Sequence, residues 1–289
     1  MPAEPPLRDD DAMDAVRVNT VKELSWWLRL LAVFGGAVVV WSLVEFVVSA
    51  LLGSGYSRIG HVARAVGVLS GVALLWMLAL RWPPRRATDY GVRLDAAGWR
   101  AAGAGALGYL VPWAAASLAV LAATSVTVVL PHDWLVLAGQ IAGLLVLVVL
   151  YEAIPEELVF RGLLYGTLAE RTPVWAAVFG QCVLFCSFGA VIGAARTVDR
   201  LVLFALFSLT LGAIRAMTGS VMATIGFHAA FQLVAQLLVG GHWDAVYVSD
   251  PDRWYADIAV GLAPLLLGPL LISLVMISTR RRRDTSLPR

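Results

Sequence analysis

The run Glu156-Glu157-Leu158-Val159-Phe160-Arg161 closes a long apolar stretch, and His228 lies alone in another about seventy residues later. Charged side chains at membrane depth cost at least about 2.5 to 3.5 kcal/mol each, so they are kept where they meet partners or line a watery cavity. Helical spacing sorts them. Glu157 and Arg161 are four apart and share a face, which predicts a structural ion pair. Glu156 points about 100° away and is left without that partner. Pro155 cannot donate to the carbonyl of Tyr151, so the helix is expected to kink beside a free carbonyl, a suitable place for water. Glu152, one turn before Glu156, extends the polar strip. His228 and Gln232 are again four apart, on an otherwise apolar helix. A carboxylate, an imidazole and an amide suit hydrolysis: Glu156 takes a proton from water, and the other two stabilise the oxyanion that follows. The bland alternative is that the carboxylates merely balance Arg161 and helix ends at an interface.

The elements that must carry these groups are membrane helices. Apolar residues make up 60% of the 289 and charged residues 15%, more apolar than a soluble domain of this length. Windows of about 20 apolar residues predict eight spans, near 27–52, 61–81, 101–130, 134–154, 173–195, 200–217, 219–240 and 256–278. The third is long enough to tilt or break near Pro112. The fold class is therefore all-α, a polytopic bundle. Residues 1–25 are Pro-rich and acidic, unlike a cleavable signal peptide, and read as a disordered cytoplasmic tail. Residues 26–279 form the membrane domain, and 280–289 a basic cytoplasmic tail whose four arginines read as a stop-transfer anchor.

With eight spans and the amino terminus inside, 17 of the 22 basic residues fall on the cytoplasmic side, which favours both termini there. Trp26, Trp27, Trp243 and Trp254 fall at span ends as an aromatic belt. Basic residues that line a membrane edge argue against nucleic-acid binding. Cys182 and Cys186 are too few for a disulfide framework, and no repeat of fixed period is present.

The stretches EELVFRGLLYGTL and LGAIRAMTGSVMATIGFHAAFQ, with Phe185 and the helix to Gly189 between them, resemble the CPBP family of integral membrane proteins. That family includes the CAAX prenyl endopeptidases and the Abi bacteriocin-immunity proteins. The likeness covers about residues 135–240. It implies an all-helical bundle around a cytoplasm-facing cavity in a bacterial plasma membrane, and glutamate-type intramembrane peptidase activity without a cofactor. The family's first-motif glutamates and arginine fall on Glu156, Glu157 and Arg161, and its last histidine on His228. The catalytic set is then Glu156, His228 and Gln232.

Two positions depart from the pattern. Phe-x-x-x-His becomes Phe185-Cys186-Ser187-Phe188-Gly189, and the usual Asn or Asp four residues after the last histidine is Gln232. Glutamine keeps the amide on a longer stem. A lost histidine, by contrast, forfeits about 10²- to 10⁴-fold if it acted as acid or base. Cys182, Cys186 and Gly189 share a helix face, so a thiol could approach the vacated space, and glycine could widen the cavity for a prenyl or lipid chain. Cavity-lining candidates are thus Glu152, Cys182, Phe185, Cys186 and Gly189. Zinc on Cys182, Cys186, Glu156 and His228 has admissible ligand types but no close-spaced motif, so no metal is expected. Three readings stay open: a peptidase acting on a membrane-associated or prenylated peptide, a non-proteolytic scaffold or immunity protein, and an enzyme acting on an isoprenoid or other lipid.

Overall fold

The computed structural model describes residues 9–81, 85–239 and 246–285, with side chains from 26 to 278 outside those gaps. Among the described residues, eight helices are long and apolar enough to cross a membrane. They are α1 (Asp9–Leu52, its apolar stretch Trp26–Leu52), α2 (Arg58–Arg81), α3 (Ala96–Ala123) and α4 (Trp134–Ala169). Then follow α5 (Val174–Val191), α6 (Val198–Thr218), α7 (Val221–Leu238) and α8 (Tyr255–Ser278). Their outer faces are leucine and valine, with Leu135, Leu51 and Phe46 largely exposed, as hydrocarbon surroundings require. The predicted bundle of eight spans is the observed fold.

Local chemistry sets the ends. Asp95 caps α3 by accepting from the Gly98 amide; its hydrogen bond from Arg93, then that amide, hold its carboxyl below the usual range. Ser220 caps α7 through the Ala223 amide, immediately after Gly219 ends α6 in the left-handed region at φ 67°.

Several boundaries differ from expectation. The third span stops at Ala123, because Thr127–Val129 forms strand β1, paired antiparallel with β2 (Tyr247–Ser249); valine-rich chain serves either element. Pro112 does not break α3, which continues through it. The fourth span runs to Ala169 instead of 154, since Glu152, Glu156, Glu157 and Arg161 are carried inside the helix. Helix α1 already begins at Asp9, within the stretch 1–25. The basic tail is likewise helical to Thr285. Trp243, expected in the aromatic belt, lies outside the described residues.

The tightest helix contact is α3 against α7. A Cβ on Gly105 would overlap the carbonyl of Ala223, and one on Gly226 the carbonyl of Ala102, so the two backbones touch. Helix propensity favours Gly226→Ala by about 1 kcal/mol, but overlap with a backbone oxygen that cannot swing away costs about 1 to 3 kcal/mol. The variant should melt below wild type in detergent; a higher melting temperature would contradict the contact. Hydrogen bonds tie α3 to α8 as well, with the Tyr109 hydroxyl donating to the Val260 carbonyl at 2.9 Å and Ser117 to the Tyr255 hydroxyl at 3.3 Å.

One end of the bundle is laced together by the segment between α2 and α3. Tyr90 is buried against Trp76 and Gly166, the Val221 amide donates to the Gly91 carbonyl, and Glu170 bridges Arg29 and Arg85 at 3.3 and 3.0 Å. The β1–β2 ladder closes the other end.

Candidate active site

The polar run in α4 sits where the helix changes pitch. Val149–Ala153 and Leu158–Leu164 are π-helical turns flanking the short α-helical piece Ile154–Glu157. The Ile154 amide bonds the Val149 carbonyl, five residues back. Pro155 removes the donor that would continue the ordinary ladder, and such widened turns recur at functional sites. The expected kink is thus an expansion of the helix.

Glu157 lies at the centre of a buried network. It is fully buried, and its Oε1 accepts from Arg161 Nη1 at 3.0 Å. The same oxygen meets His228 Nδ1 at 2.9 Å. A carboxylate paired with arginine is ionised and can only accept, so His228 donates through Nδ1 and its Nε2 is the open nitrogen, enclosed and unpartnered. Arg161 Nη2 donates to Ser208 Oγ at 3.2 Å, Ser208 donates to Gln181 Oε1 at 3.3 Å, and Gln181 Nε2 donates to the Ser208 carbonyl at 3.0 Å. The Arg161 guanidinium stacks over Phe185 at 4.7 Å. Four helices meet here. Three of them answer one arginine and one glutamate of α4, which keeps their burial affordable.

Glu156 is different: half-buried, and without a hydrogen bond among the described residues. Glu152, one turn earlier, accepts from Gln236 Nε2 at 2.7 Å, and Gln232 approaches the same carboxylate as a donor. His228 and Gln232 share a face of α7, but they serve different carboxylates. Neither is hydrogen-bonded to Glu156 among the described residues.

The α5 candidates are packed tightly. Cys182 Sγ contacts the Ala205 carbonyl at 3.6 Å, and Cys186 is half-buried. Phe185 lies under Arg161 and stacks on Phe204 at 5.2 Å between centroids. Gly189 does not widen a cavity on its open face: a Cβ there would meet Phe204 Cε1 at 2.5 Å and Ala195 Cβ at 3.3 Å. An aromatic ring fills the space a side chain would take. Gly189→His should therefore lower the melting temperature by the equivalent of about 1 to 3 kcal/mol of overpacking, and Gly189→His with Phe204→Ala should recover much of it. Equal melting of wild type and the single variant would contradict this packing.

Among the described residues, no three His, Cys, Asp or Glu side chains converge as a metal would need, so Cys182, Cys186, Glu156 and His228 are not assembled into one site. An apolar groove of about 770 Å³ lies between α5 and α6, lined by Val174, Trp175, Phe179 and Met217 among others. It faces outward and includes none of the site residues.

Sequence reasoning missed Ser208, Gln181 and Gln236. Gln236 continues the four-residue spacing of His228 and Gln232 and was findable. Ser208 and Gln181 are single polar residues whose partners come from other helices, and nothing local marks them.

Residues 138–234, about a third of the chain, match the family model described as type II CAAX prenyl endopeptidase Rce1-like. The matched segment holds Glu152, Glu156, Glu157, Arg161, His228 and Gln232. No curated protein and no solved structure matches the chain.

Proposed function

We propose that this Rce1-like membrane protein is a glutamate-dependent intramembrane peptidase acting on a membrane-associated or prenylated peptide. The observation that carries the reading is Glu156: a half-buried carboxylate without a hydrogen bond among the described residues, beside a second glutamate committed to Arg161 and His228. A purely structural bundle gains nothing from an unpaired carboxylate, which at membrane depth is expensive.

In the proposed reaction Glu156 takes a proton from water, and the hydroxide attacks the peptide carbonyl carbon. The oxyanion accepts from Nε2–H of His228, which takes up a proton there on substrate binding while its Nδ1–H stays on Glu157, and from the Gln232 amide once it turns away from Glu152. As the tetrahedral intermediate collapses, the C–N bond breaks and Glu156 returns its proton to the leaving amine. Glu157 and Arg161 hold the imidazole in place and touch no substrate. Both termini belong on the cytoplasmic side of a bacterial plasma membrane in this proposal, with the site reached from there; the distribution of basic residues supports that orientation.

The Phe204 ring on Gly189 favours a second reading, in which the chain keeps the fold as a scaffold or immunity protein without hydrolysis. The two separate on incubating reconstituted protein with a farnesylated peptide that ends in a CAAX box and looking for fragments by mass spectrometry. Cleavage above a protein-free control supports the peptidase. Its absence, with the protein folded, overturns it.

A further inference from the structure

Three arginines are buried among the described residues: Arg29, Arg161 and Arg215. Arg29 has Glu170 and Arg161 has Glu157. Arg215, in the last turn of α6, has no carboxylate among the described residues, and the partners it has there are neutral. Its Nε donates to the Arg161 carbonyl at 3.1 Å, and its guanidinium lies 5.2 Å from the Tyr165 ring centre. A Cβ on Gly91 would meet its Nη2 at 2.7 Å, so the glycine, at φ 80°, makes room for it. The terminal nitrogens are absent from the enclosed, unpartnered polar atoms and have no acceptor among the described residues. They therefore reach accessible surface at the end of the bundle laced by the α2–α3 segment.

A cation placed in this way selects an anion. A carbonyl and an aromatic ring orient a guanidinium but do not neutralise it, and an intramembrane charge implies a partner. Guanidinium nitrogens pair best with a planar oxyanion. On the peptidase reading, on which this inference rests, the substrate supplies one. A CAAX box ends its chain, so the free carboxylate lies within three residues of the modified cysteine, about 10 Å when extended. Arg161 follows Glu156 by five residues, about 7 Å along the helix, and Arg215 is bonded to its carbonyl. The spans are comparable.

We propose that Arg215 determines specificity by binding the carboxy-terminal carboxylate of the substrate peptide. The test uses full-length Glu156→Gln protein in nanodiscs of zwitterionic lipid, so that binding is read without turnover. The probes are a farnesylated, fluorescent CAAX peptide with a free carboxylate and the same peptide amidated. The acid should bind about tenfold more tightly or better. Arg215→Lys should keep a preference. Arg215→Gln, whose amide can still donate to the Arg161 carbonyl, should lose it.

Equal binding of acid and amide overturns the inference, as does a preference that survives Arg215→Gln in folded protein. Cleavage of both peptides at equal rates by the Glu156 enzyme also sinks the role of Arg215 while leaving the peptidase intact. A peptide neither bound nor cleaved removes the peptidase reading and this inference with it.

Discussion

Replacing Glu156 by glutamine should all but stop cleavage of a prenylated reporter and leave the protein folded. Glutamine matches the carboxylate in shape, and no hydrogen bond among the described residues is lost with the charge. Melting temperature and elution profile should stay near wild type, because removing a half-buried unpaired carboxylate relieves a cost. The rate should fall by about 10²- to 10⁴-fold, the contribution of a positioned general base. Measured beside Glu157→Gln, the experiment separates the two roles: the Glu157 variant should lose stability as well as rate, since Arg161 and His228 both depend on that oxygen. Full activity in Glu156→Gln would remove Glu156 from the mechanism.

The second large effect falls on folding. Arg161→Ala strands the buried Glu157 carboxylate, empties the bond to Ser208 and uncovers the Phe185 face. Breaking one side of a buried pair costs about 3 to 5 kcal/mol, a large fraction of the stability of an ordinary domain. The variant should yield little monodisperse protein and melt well below wild type. Glu157→Gln combined with Arg161→Met, which removes both charges and keeps volume, should recover part of the loss, because two neutral side chains do not carry the penalty of one stranded ion. Wild-type melting for Arg161→Ala would place the guanidinium outside the load on the fold.

The eight spans were legible because each is a window of apolar residues whose length the bilayer sets. The Glu157–Arg161 contact was legible for an equally local reason, a spacing of four on a helix. What the spacing left open is decided by packing between helices. Nothing near His228 says that its partner is Glu157 and not Glu156, since they are neighbours in sequence and the choice turns on the rotation of α4. That rotation is set by the two π turns, whose only local trace is Pro155. Gly189 shows the same limit. A missing side chain suggests space, yet Phe204 from the next helix occupies it. Residues 127–129 failed in the opposite direction, being apolar enough for a span end but paired with 247–249.

The backbone contact between α3 and α7 gives the two halves of the site unequal compliance. At Gly105 and Gly226 each helix rests on carbonyl oxygens of the other, and side-chain rearrangement cannot absorb a shift there. His228, two residues beyond Gly226, is therefore mounted on a fixed jaw. Glu156 rides on a four-residue piece held between two wide turns, where a change of pitch moves the carboxylate without unpacking a helix. Adjustment to a peptide of varying bulk falls to the glutamate side, and substitutions that regularise the α4 turns should narrow the range of peptides accepted before they lower the rate on the best one.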